Sequence, residues 1–188
     1  MKKIKAMVGH IIIVLLSSVI LFQTASATQT DDRMADEILV YVNQYRAQHG
    51  LSKLTMNNAI SEEAAKHSRD MAVHALPFGH DGFSKRIRYL HEHVVDSSSG
   101  AENVAYNYKT ARIVVDGWIK SPGHRQNIMG HYNLTGIGIA RDKTGKIYYT
   151  QLFLRADHVV AARQSSPLHR HSAATVSGTH IHGHHAYS

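Results

Sequence analysis

Trp118-Ile119-Lys120-Ser121-Pro122-Gly123-His124-Arg125-Gln126-Asn127-Ile128 is the stretch on which the reading of this chain turns. Ala111, Val114, Val115 and Trp118 recur at helical spacing, and Ser121-Pro122-Gly123 is expected to stop that helix, with one further turn over residues 125–129. Two other polar islands precede it, Phe78-Gly79-His80-Asp81-Gly82 and Ala101-Glu102-Asn103-Val104-Ala105. From three separate segments they offer His80, Glu102 and His124. Such a set can ligate a metal, move a proton, or satisfy itself as a buried polar cluster.

The first residues speak to location. Lys2, Lys3 and Lys5 form a basic lead, Ile11 to Phe22 is apolar apart from Ser17 and Ser18, and Ala25-Ser26-Ala27 supplies the small-x-small pattern of a cleavage site. Residues 1–27 therefore read as a signal peptide cleaved after Ala27, with a secreted or periplasmic product. A retained anchor is the alternative, but the run is short for a membrane span. Cleavage takes away three lysines and no acid, bringing the formal charge of +7 to +4. That mild excess suits solubility and attraction to anionic envelope polymers, not a dedicated nucleic-acid surface. The chain has no cysteine, which excludes thiol catalysis, Cys-based zinc sites and disulfide staples, and fits a bacterial exported protein.

Residues 28–33 are a polar lead-in to a folded region over 34–155. Met34, Ile38, Val42 and Tyr45 predict a first helix, with Asp31 or Asp32 as N-cap and Gly50 at its end. A second starts near Asn57 or Asn58 and runs until Pro77; a short third covers 84–93. Residues 97–100 read as a loop, 102–108 as a strand, and 135–140 with 146–154 as a hairpin. Gly136 and Gly138 within that hairpin signal close backbone approach. The order describes an α+β domain, helices around a small antiparallel sheet. Residues 156–188 lack a hydrophobic period, hold seven histidines, and read as a disordered His-rich tail.

The pieces Val42-Asn43-Gln44-Tyr45-Arg46, Gly79-His80, Glu102-Asn103-Val104-Ala105, Trp118 to Ile128, Gly136-Ile137-Gly138-Ile139-Ala140 and Tyr149-Thr150-Gln151-Leu152-Phe153 stand in order along 34–155. In that order and spacing the chain resembles the CAP superfamily (cysteine-rich secretory proteins, antigen 5 and pathogenesis-related 1 proteins) in its compact bacterial form, the SCP domain. The resemblance implies an α-β-α sandwich with a central cleft. Eukaryotic relatives place two His and two Glu there; His80, Glu102 and His124 match three of them. The fourth position, three residues after the tryptophan, is Ser121, so the tetrad is incomplete.

Three chemistries remain open for the cleft. His80, His124 and Glu102 are suitable ligands for a divalent metal such as zinc, which would activate water in a weak, peptidase-like hydrolase. Alternatively Glu102 and its neighbours are structural, satisfying backbone and one another. Arg125 either holds a carboxylate or sits in solvent. Ser84, Ser121 and Thr135 are available hydroxyls, but none lies in a nucleophile signature, and no catalytic residue is assigned. The resemblance adds a binding reading: a secreted interaction module for a lipid, envelope glycan or host ligand, with Ile87, Tyr89, Leu90 or Val94 as a candidate lipid wall. In the tail, His180, His182, His184 and His185 are candidate chelators of zinc, nickel or copper. The other domain histidines, His67 among them, read as surface or packing residues.

Overall fold

The computed structural model describes residues 30–157, so the segment read as a signal peptide and nearly all of the His-rich tail lie outside the described residues. Among the described residues five helices and four strands follow one another: α1 (30–48), β1 (Thr55–Met56), α2 (Asn58–Ala72), α3 (Phe83–His93), β2 (Ser97–Tyr106), α4 (Ala111–Lys120), α5 (Pro122–Ile128), β3 (Leu134–Arg141) and β4 (Ile147–Ala156). The strands form one sheet in the order β1-β3-β4-β2. Its three long strands are antiparallel, while the two-residue β1 joins β3 in parallel, so the sheet is mixed rather than purely antiparallel.

Strand alternation sorts the helices into two layers. On β4, Tyr149 and Phe153 pack with Ile38 and Val42 of α1, Val114, Val115 and Trp118 of α4, and Ile128 of α5. Leu152 and Leu154, on the opposite face of β4, pack with Ile60 and Ala64 of α2 and Leu90 of α3. The result is an α-β-α sandwich with α1, α4 and α5 on one face and α2 and α3 on the other. Gly136 and Gly138 make the α2 layer close: a Cβ at Gly136 would stand 2.2 Å from Ile60 C, and one at Gly138 2.1 Å from Ala65 N.

Local chemistry sets most boundaries. Asn57 caps α2 by accepting from Ile60 N, as its sequence position indicates, but the helix stops at Ala72, before Pro77 is reached. Asp31 lies inside α1 instead of capping it; its Oδ1 accepts from Arg141 Nη2 at 2.6 Å. Pro122 does not merely break a helix. It occupies the first turn of α5, where the missing N–H costs nothing, and the helix runs on to Ile128. β2 starts at Ser97, five residues earlier than its composition suggests, because Ser97 to Gly100 pair with Ala156 to Leu154.

The motif residues of α1 are structural. Asn43 exchanges two hydrogen bonds with the backbone of Leu54, at 3.0 and 2.8 Å. Arg46 is buried and donates to the carbonyls of Ser52, Ile128, Gly130 and Tyr132 at 2.7–3.0 Å. A guanidinium at the carboxyl end of α5 also meets the negative pole of that helix. It thereby fixes the segment that carries His124 and Asn127.

Candidate functional site

β2 is an edge strand, and the candidate residues gather along it. Glu102 lies in mid-strand and shares its face with Val104, which packs against Met71 and Ala72 of α2. That alternation turns its side chain toward the α2–α3 layer. There it is almost fully buried, at 5% exposure.

A buried carboxylate needs partners, and Glu102 has two cationic or polar ones at contact distance. Arg86 Nε donates to Oε2 and Arg86 Nη2 to Oε1, both at 2.8 Å. Arg86 is itself buried, and its Nη1 donates to the Asp81 carbonyl at 2.7 Å, tying α3 to the 79–82 loop. His80 Nδ1 stands 2.9 Å from Glu102 Oε1. A carboxylate held by a guanidinium can only accept, so Nδ1 carries the proton and the His80 ring is oriented with its half-exposed outer edge in the cleft.

His67 stands behind this group. It is buried on α2, and its Nε2 donates to the Gly79 carbonyl at 2.9 Å and lies 4.0 Å from Glu102 Oε1. Among the described residues its Nδ1 has no partner. Burial, the largest influence, lowers its pKa below the ordinary imidazole value, and the Arg86 charge acts in the same direction against the Gly79 hydrogen bond.

His124 arrives from the other layer. It belongs to α5, and its carbonyl accepts from Asn103 Nδ2 at 3.1 Å. Asn127 Nδ2 in turn donates to the Glu102 carbonyl at 3.0 Å and to Asn103 Oδ1 at 2.9 Å, and Trp118 Nε1 donates to the Val104 carbonyl at 3.3 Å. Side chains therefore close the exposed edge of β2. Burial, the largest influence, lowers the pKa of His124 below the ordinary imidazole value, and its electrostatic interaction with His80 acts in the same direction. The structure thus joins His80 to Glu102 directly and sets His124 near His80, but among the described residues His124 shares no hydrogen bond or ion pair with Glu102.

Arg86 and His67 are the residues that sequence reasoning did not place in the site. The signal for Arg86 was its position in α3: it falls four residues before buried Leu90, and a charge on a buried stripe requires a countercharge. Arg125, the alternative weighed for that task, donates instead to the Ile119 carbonyl at 3.0 Å. The three hydroxyls separate. Thr135 is buried and donates to the Leu152 carbonyl at 2.7 Å, Ser84 is exposed on α3, and Ser121 lines a groove with His124. The proposed lipid wall also separates: Leu90 and Val94 are core, Ile87 packs against it, and Tyr89 stacks on His93 at 3.9 Å. Among the described residues no three His, Asp or Glu side chains converge as a metal-binding group, and no helix is long and apolar enough to cross a membrane.

Comparison with known proteins agrees with the fold. Residues 39–153 match the profile of the Cysteine-rich secretory protein family, CAP. The chain is 36% identical over 124 residues to the uncharacterized membrane protein YlbC of Bacillus subtilis, covering 63% of this chain and 34% of that one. It is 29% identical over 133 residues to YkwD of the same organism, covering 70% and 51%. The chain thus spans between a third and about half of the length of these relatives. Among solved structures, an extracellular protein containing a SCP domain from Bacillus anthracis aligns with a TM-score of 0.57 at 26% identity, over 68% of this chain and 42% of that one. An outer surface protein of Borrelia burgdorferi has the same fold, with a TM-score of 0.58 at 15% identity over 69% and 95%. With its profile match spanning most of the α-β-α sandwich, the chain belongs to the CAP family of cysteine-rich secretory proteins.

Proposed function

We propose that this chain is an exported CAP-domain protein that works as a binding module, its cleft centred on His80, Glu102 and His124. One observation carries this reading: the carboxylate of Glu102 is already spent. Both its oxygens accept from Arg86, and Oε1 also takes His80. Glu102 is then an internal strut that orients His80, and the cleft presents imidazoles without a free acid.

The same arrangement does not fit a divalent metal. Zinc would have to displace a guanidinium that binds the carboxylate through two charge-assisted hydrogen bonds. It would also meet the fixed positive charge of Arg86 and lack the acid that Ser121 replaces. Export is supported by the signal-like residues 1–27 and by the likeness to an extracellular protein of Bacillus anthracis. The ligand classes consistent with an envelope location are a lipid or an envelope glycan.

The test compares the full chain with His124→Ala in two assays, retention on isolated bacterial envelope and cleavage of peptide and ester substrates with added zinc. Retention that falls in the variant, without zinc-dependent cleavage, is the expected result. Cleavage that needs zinc and disappears with His124 would establish the hydrolase instead.

A further inference from the structure

We propose that the groove between Phe78, Tyr106 and His124 is a subsite for an anionic polysaccharide, which rests on the binding-module reading and gives it a ligand class. The groove has a volume of about 480 Å³ and is lined by Phe78, Tyr106, Asn107, Tyr108, Ser121 and His124, among others. Its aromatic members come from the segments that build the cleft. Phe78 stands two residues before His80 and Tyr106 four residues after Glu102.

Phe78 and Tyr106 are 46% and 44% exposed, yet they are not loose. Their ring centroids are 4.6 Å apart with planes at 68°, so each holds the other in an edge-to-face pair. Tyr108 is set against α4 at Gly117, where a Cβ would meet its hydroxyl at 2.7 Å. Ordered aromatic surface left in water marks a recognition site more often than an isolated apolar residue does. Interleaved with it are polar groups with nothing to do inside the fold. Among the described residues, neither the His124 ring nor the Ser121 hydroxyl has a hydrogen-bond partner, and Ser121 makes no side-chain cap to α5.

Charge narrows the ligand. No acid lines this groove, and the nearby Glu102 is neutralised by Arg86. Lys146 Nζ sits 4.2 Å from the Tyr106 ring centroid and 5.5 Å from that of Tyr148, a cation held on the aromatic ledge. Sugar rings suit such a surface: their C–H faces stack on aromatic rings, their hydroxyls bond serine and imidazole, and a carboxylate meets the ammonium. An acyl chain would leave the polar groups unpaired. A peptide adding to the sheet would find the Glu102 and Val104 carbonyls already taken by Asn127 and Trp118.

The experiment measures binding of the full chain to four probes at near-physiological salt: polygalacturonate, neutral dextran, phosphatidylglycerol vesicles and poly-L-glutamate. Preference for polygalacturonate is expected. Phe78→Ala with Tyr106→Ala should weaken it roughly tenfold and Lys146→Gln roughly threefold, with thermal midpoints unchanged because these side chains are exposed or peripheral. Equal binding to all three anionic probes, indifferent to the ledge variants, would reduce the effect to plain charge attraction and overturn the inference. Dextran bound as tightly as polygalacturonate would overturn the anionic part. Vesicles or polyglutamate preferred, with the preference lost in His124→Ala, would keep the binding module and overturn the glycan. Binding to none of the four would overturn both.

Discussion

The Arg86 guanidinium and the Glu102 carboxylate form a two-pronged pair, Nε to Oε2 and Nη2 to Oε1 at 2.8 Å each, buried between α3 and β2. Breaking such a pair on one side leaves an uncompensated buried charge. Arg86→Met should therefore cost about 3–5 kcal/mol of stability, while Arg86→Met with Glu102→Leu should recover much of that loss. Denaturant melts of the single and double variants check this; an Arg86→Met protein as stable as the parent would show that the pair is not what holds the site.

Acid should destabilise the fold. His67 has a pKa below the ordinary value when folded, chiefly because it is buried, and regains that value near 6.5 on unfolding. Between the two values the unfolded chain binds more protons, so the stability His67 contributes is complete above the unfolded pKa and lost as pH falls through the folded one. Thermal midpoints at pH 7.5 and pH 5 should drop toward acid, and the drop should shrink in His67→Gln, whose amide N–H can still reach the Gly79 carbonyl. A midpoint that rises toward acid contradicts the sign.

Close packing of α2 on β3 depends on two absent side chains. A Cβ at Gly138 would collide with the helix backbone at Ala65, which has no flexible end to yield. Gly138→Ala should cost at least the upper part of about 1–3 kcal/mol, and Gly136→Ala a similar amount. Unchanged unfolding midpoints in both would mean that the helix stands further off the sheet.

Divalent-metal binding by the full chain should follow the tail. Replacing His180, His182, His184 and His185 by alanine should abolish most copper or zinc uptake in calorimetric titration, whereas His124→Ala should leave it nearly intact. The opposite ranking would return the metal to the cleft.

Much of the fold was legible because it rests on periodic burial. The stripe through Val114, Val115 and Trp118 marks α4, and the glycines at 136 and 138 announce the close approach of α2. β1 was not legible, since two residues paired only with Leu134 and Thr135 carry no pattern of their own. The polar start of β2 was missed for a related reason: Ser97 to Gly100 are ordered by their partners on β4 rather than by apolar alternation. His80, Glu102 and His124 were read from their motifs as candidates for the cleft. What the motifs could not reveal is how Glu102 is occupied, because Arg86 is sixteen residues away and meets it only when α3 packs on β2.

The most direct measurement is a crystal structure of the protein grown with zinc at near-neutral pH. The account predicts that Arg86 keeps both oxygens of Glu102, that His80 Nδ1 stays on Oε1, and that no ion lies between His80 and His124. A zinc ion ligated by His80, His124 and a Glu102 that has released Arg86 would contradict it.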